Sequence, residues 1–175
     1  MRVIRFIPVL VLAAACSMNT VTTMPNAIPD SDIAGIVRTA NQGEIDLGNA
    51  AAAKASSSEV KAFAQMMVSD HTNALNSAND VFTKLNLTPT DNNTTSTLKS
   101  GGQQTMSNLN TYSGLAYDRM YMQAMVDAHQ WLLNTMDSTL IPSAHTRDLK
   151  DLLTTQRAAV STHLDRARAI LSGLR

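Results

Sequence analysis

Four stretches of the 175-residue chain carry an apolar seam spaced three and four residues apart. The first runs Ile33, Val37, Ala40, Glu44, Leu47, Ala51, and the second Val60, Ala64, Met67, His71, Ala74, Ala78, Val81, Leu85. The third runs Leu115, Asp118, Met122, Met125, His129, Leu132, Met136, and the fourth Leu149, Leu153, Gln156, Val160, His163, Ala167, Ile170, Leu174. This spacing is one face of an α-helix, and an apolar helix face turns inward. Each seam is broken by a carboxylate or an imidazole: Glu44, His71, Asp118 with His129, and His163. A group of that kind loses water when it turns inward, and the cost is offset only by hydrogen bonds, an ion pair or a metal. Any chemistry is to be sought at these interruptions.

Punctuation between the seams sets the helix limits. Asp30 or Ser31 can cap a first helix over 32–55, and Ser56-Ser57-Ser58-Glu59 has the pattern of a capping box opening a second over 57–86. Pro89 ends it, because the residue before proline avoids the helical region. Residues 88–97 read as a Thr/Asn-rich loop, and a weak helical stretch over 96–110 is diluted by Gly101-Gly102. Ser113 opens a third main helix over 114–138, Pro142 marks a turn, and a last helix covers 144–172. The chain is rich in Ala, Leu and Met and only 4% aromatic, which favours helix over strand. The expectation is an all-α fold: one antiparallel four-helix bundle over 32–173 with a long connection between helices 2 and 3.

The first residues read differently. Arg2 and Arg5 precede an apolar stretch ending in Ala13-Ala14-Ala15-Cys16, the layout of a secretory signal over 1–15. Cys16 after the small residues resembles a bacterial lipobox, which implies lipidation of Cys16 and a membrane partner through that anchor. Ser17 resembles the sorting signal for the outer membrane, on the periplasmic side. Plain secretion after cleavage near Ala15 is the alternative. Residues 16–31, with Pro25 and Pro29, read as a flexible tether. Cys16 is the single cysteine, so no disulfide forms within the chain. With 14 basic and 14 acidic residues and no basic run, a nucleic-acid surface has no support.

Several segments resemble a bacterial family called domain of unknown function 4142. They are Glu44-x-x-Leu47-Gly48, then Val60-Lys61-x-Phe63-Ala64-x-x-Met67-Val68-x-Asp70-His71, then Ser113-Gly114-x-x-Tyr117-Asp118-x-x-Tyr121, followed by His129 and His163. The resemblance covers about 33–172 and implies an exported, ferritin-like helical bundle. It implies no activity. Tyr117 stands where the family usually has Phe, and the Leu-Pro that often precedes the last histidine is absent.

A ferritin-like di-iron centre needs Glu-x-x-His on two helices. Here the residues three before His71, His129 and His163 are Val68, Val126 and Val160, so that centre is disfavoured. A single-ion site is open. Counting along the helices from the connections near Ser56 and Leu140, taken to lie at one end, places Glu44, His71 and His129 at one level. The same count places Asp118 and His163 together at a second level. The first trio would suit Zn or non-haem Fe(II). Asp70, Tyr117 and Tyr121 are supporting partners. Equally open is a polar network that only fixes helix register. Met67, Met122, Met125 and Met136 could offer thioethers to Cu(I), but methionine in a seam is usually core filler. No nucleophile or phosphate-loop motif is present, so an enzyme is not indicated. Two functions follow: a metal-binding envelope protein, or a non-catalytic structural or stress-associated envelope module.

Overall fold

The computed structural model describes residues 27–174, so the expected signal sequence, Cys16 and most of the tether lie outside the described residues. Helices α1 (Asp30–Lys54), α2 (Ser58–Lys84), α3 (Asn93–Asn110), α4 (Gly114–Thr135), α5 (Ile141–Ser143) and α6 (Arg147–Gly173) follow one another. A π-helical turn, Met136–Leu140, joins α4 to α5, and no strand occurs among the described residues. The fold is all-helical, as the seams require. The first helix begins at Asp30, two residues before the expected limit, so the end of the tether is helical.

Helix ends follow from local chemistry. Ser57 caps α2 and its hydroxyl accepts from the Val60 amide. At the far end Asn86 takes φ 52°, while the Leu87 amide donates to the Phe82 carbonyl and the Asn86 amide to Thr83. That pairing is a Schellman stop, with asparagine tolerating the left-handed turn. Helix α3 is stronger than its glycines suggest, because Asn92 and Thr95 form a reciprocal capping box. It starts at residue 93, inside what the sequence suggested was loop.

Contacts at the helix ends establish direction. Asp30 accepts from the His145 backbone amide and Lys84 pairs with Asp148, so the start of α1, the end of α2 and the start of α6 share one end. At the other end Arg119 donates to the Leu174 carbonyl, Lys54 to those of Leu109 and Asn110, and Asp118 accepts from Ser56 and Ser57. Helix α3 therefore carries the chain back along α1, over about 27 Å at the usual rise per residue. The connections near Ser56 and Leu140 lie at opposite ends, not at one. The level count that put Asp118 with His163 fails for this reason.

The loop after α2 sits on α1, where the Thr90 amide donates to the Ser31 carbonyl. A Cβ on Gly35 would stand 1.9 Å from the Thr90 carbonyl oxygen. Gly35→Ala is thus expected to destabilise the protein by about 2–3 kcal/mol through overpacking, read as a lower urea midpoint at unchanged slope. An unchanged midpoint would contradict this close approach.

The apolar interior falls into two clusters. One holds Ile33, Val37, Ala78, Leu133, Leu153 and Val160, towards the start of α1 and α6. The other holds Leu47, Val60, Phe63, Tyr121, Met125 and Ala167, towards the opposite end. On α1, α2 and α4 an interruption falls between the two clusters, and Glu44 lies between Val37 and Leu47. His71 lies between Met67 and Ala78, and His129 between Met125 and Leu133. The polar groups form a belt across the core. Met67, Met122, Met125 and Met136 are buried in the apolar clusters on either side.

Candidate metal centre

Corrected for helix direction, Glu44 lies 11 residues before the C-cap of α1 and His163 11 before that of α6. His71 is 14 residues beyond the N-cap of α2 and His129 16 beyond that of α4. At 1.5 Å per residue the four fall within about 8 Å of one level. The structure brings three of them into contact. Ring centroids are 6.0 Å apart for His71 and His129, 5.3 Å for His71 and His163, and 5.6 Å for His129 and His163. One ring nitrogen from each lies within 4.8 Å of the others, and all three residues are buried. His163 thus joins His71 and His129 rather than Asp118.

Each ring is held from outside by one nitrogen. His71 Nδ1 pairs with Asn41 Oδ1 at 2.9 Å, His129 Nδ1 with the Met125 carbonyl at 2.8 Å, and His163 Nε2 with Asp70 Oδ2 at 3.0 Å. Carbonyl, amide and carboxylate oxygens accept, so in each neutral ring the proton sits on the paired nitrogen. The other nitrogen keeps its lone pair. Those nitrogens, His71 Nε2, His129 Nε2 and His163 Nδ1, are buried without a hydrogen-bond partner, as are Glu44 Oε2 and Tyr121 Oη. Unpaired buried polar atoms cost about 1–3 kcal/mol each, and here five gather on one belt.

Burial sets the charge state. It pulls His71 down to about 3, helped by the neighbouring His129 and His163, and His129 down to about 4 against the bond from Met125. His163 is also lowered by burial, with the bond to Asp70 opposing. Burial raises Glu44 to about 7, against the attraction of His163. It raises the Tyr121 hydroxyl too, helped by the nearby Glu44. The centre therefore offers three neutral imidazoles at neutral pH.

The pH response of the metal-free protein follows. Histidines lowered on folding add stability above their free value of about 6.5, lost as pH falls towards 3 to 4. Glu44 works oppositely, adding stability below about 4.5 that is lost as pH rises through about 7. Three histidines outweigh one carboxylate. In chelator, Tm is expected to fall between about pH 7 and pH 5, and scanning calorimetry checks it. A rise over that window would contradict the neutral cluster.

The remaining candidates fall elsewhere. Asp118 is fully buried 11 residues before His129, where both its oxygens are engaged: Oδ1 accepts from the Ser56 amide at 3.0 Å, and Oδ2 from the Ser57 amide at 2.7 Å and the Ser56 hydroxyl at 2.5 Å. It closes the α1–α2 turn and places a negative charge at the N-terminus of α2, where the helix dipole favours it. Tyr117 is buried at that same end with Lys54 over its ring. Tyr121 packs edge-on against Phe63 and turns its hydroxyl into the belt. Glu44 borders the histidines but is not among the three drawn within 4.8 Å. Asp70 supports His163 directly.

Sequence reasoning missed Asn41, which holds His71. It is buried, four residues after Val37 and three before Glu44, so its spacing placed it on the inner face. It was passed over because an amide carries no charge to mark it.

The family described as Domain of unknown function (DUF4142) matches residues 15–170. No curated protein and no solved structure matches the chain.

Proposed function

Because the chain belongs to this family, whose description assigns no activity, we propose from the geometry alone that it is a metal-binding protein, holding one divalent transition ion on His71, His129 and His163. The observation that carries the reading is the pattern of partners. Each ring is oriented by an oxygen on its outer nitrogen and left free on the other. That is how metal-ligating histidines are arranged, since the outer acceptor fixes tautomer and ring angle. Neutral imidazole suits zinc or non-haem iron(II), and three nitrogens leave one position of a tetrahedron to another donor. A carboxylate-bridged pair of ions needs more acidic groups at this level than Glu44 supplies. A purely structural network is less well supported, because the three free ring nitrogens carry only lone pairs and cannot hydrogen-bond one another.

The scaffold is read as a ferritin-like four-helix bundle, α1, α2, α4 and α6, with α3 as a crossover along its flank. The basic residues, apolar stretch and Cys16 of the N-terminus support export and lipid anchoring at the outer membrane, facing the periplasm. Among the described residues no helix is long and apolar enough to cross a membrane. Calorimetric titration of untagged, metal-free protein with Zn²⁺ tests the function. One equivalent per chain is expected, with affinity weakened by about 100-fold or more in His129→Ala. Equal affinity in that variant would refute the assignment.

A further inference from the structure

A groove of about 340 Å³ opens between α1, α3 and α4, lined among others by Glu44, Leu47, Leu98, Gly102, Trp131 and Leu132. It shares Gly43, Leu47, Leu98 and Gly102 with a wider cleft of about 670 Å³ between α1 and α3. Glu44 is where groove and belt meet: it lines the groove, its Oε2 is buried without a partner, and its charge acts on His163 and Tyr121. The opposite approach, past Asp70, His71 and His163, is a cavity of only about 40 Å³, too small to admit more than a water-sized molecule. There Gln156 donates to the Ala74 carbonyl at 3.1 Å and ties α6 to α2.

We propose that the three-histidine centre keeps one coordination position open towards the groove under α3, and that a small anionic or neutral oxygen or nitrogen donor reaches the metal there, beside Glu44. The proposal rests on the metal reading above and adds to it. Three protein ligands with an exchangeable fourth make a reactive site, whereas four side chains make a closed structural one. Glu44 is the group placed to hydrogen-bond the entering ligand, accepting from a protic donor as a carboxylate or donating to an anion such as azide as a carboxylic acid. Glycine keeps the groove open. A Cβ added at Gly43, Gly101 or Gly102 meets no atom within 4 Å, so side chains introduced there start into open space at the groove.

Co²⁺ in place of the native ion, with azide as the probe ligand, provides the test. Azide is expected to change the visible spectrum of the Co²⁺-loaded wild type. In Gly43→Phe/Gly102→Leu the azide Kd should rise at least about tenfold, with Co²⁺ affinity within about threefold of wild type. Ala159→Leu, which narrows the opposite cavity, should leave azide binding unchanged. A Co²⁺ spectrum unmoved by azide overturns the open position. Equal azide affinity in the groove variant, or loss in Ala159→Leu instead, overturns the route. If the wild type takes up no Co²⁺, the metal reading fails as well, which separates that result from the others. Thermal unfolding at wild-type temperature or above confirms that the groove variant is folded.

Discussion

Asp118→Ala is expected to lower the unfolding free energy by about 3–5 kcal/mol, because it leaves the Ser56 and Ser57 amides and the Ser56 hydroxyl without their shared acceptor. For a domain of this size that is a fall in Tm of roughly 10 °C or more. Asp118→Asn should recover part of the loss, since one amide oxygen can still accept. Metal affinity should be untouched, because Asp118 stands about 16 Å along α4 from His129 at the usual rise. A loss below about 1 kcal/mol would mean that the turn is held by something other than this carboxylate. Loss of metal affinity at wild-type stability would return Asp118 to the metal centre.

The second large effect is stabilisation by the ion. With free Zn²⁺ at about 100 times Kd, the folded state gains about 2.7 kcal/mol over the metal-free protein. His71→Ala and His163→Ala should each remove most of that gain, while Asp118→Ala keeps it in full on a lower baseline. Chemical denaturation with and without zinc reads all four proteins on one scale. The gain should hold from about pH 7 to pH 5, where the folded His71 and His129 rings stay neutral, and shrink only as pH falls towards about 4, where protons compete with the metal for them. A zinc effect of equal size in His163→Ala would place the ion elsewhere.

The parts of this structure legible in the sequence were those governed by local periodicity. In α6 every seam residue from Leu149 to Ile170 is buried, Gln156 and His163 included. In α4 the pattern misled at one end: Leu115 is 42% exposed, and Tyr117 and Tyr121 take the inner face beside Asp118. Aromatic bulk decided that rotation, with Tyr121 packed on Phe63. The choice of residues that meet was not legible, because it depends on helix direction. A stretch weakened by Gly101 and Gly102 gave no warning that α3 would span the core's length and reverse the sense of α4 and α6. Once that is known, the spacing alone brings Glu44, His71, His129 and His163 to one level. Their partners, Asn41 and the Met125 carbonyl, had no sequence signal of their own kind.

The central claim is that the belt between the two apolar clusters is built around a metal ion. Its most direct test is an anomalous difference map, collected at the zinc edge, from crystals grown of untagged protein with one equivalent of Zn²⁺. The account predicts one strong peak inside the helices, about 2.0–2.1 Å from His71 Nε2, His129 Nε2 and His163 Nδ1, with the outer bonds to Asn41, Met125 and Asp70 retained. Zinc bound only at surface sites, with no peak among the three rings, would contradict it.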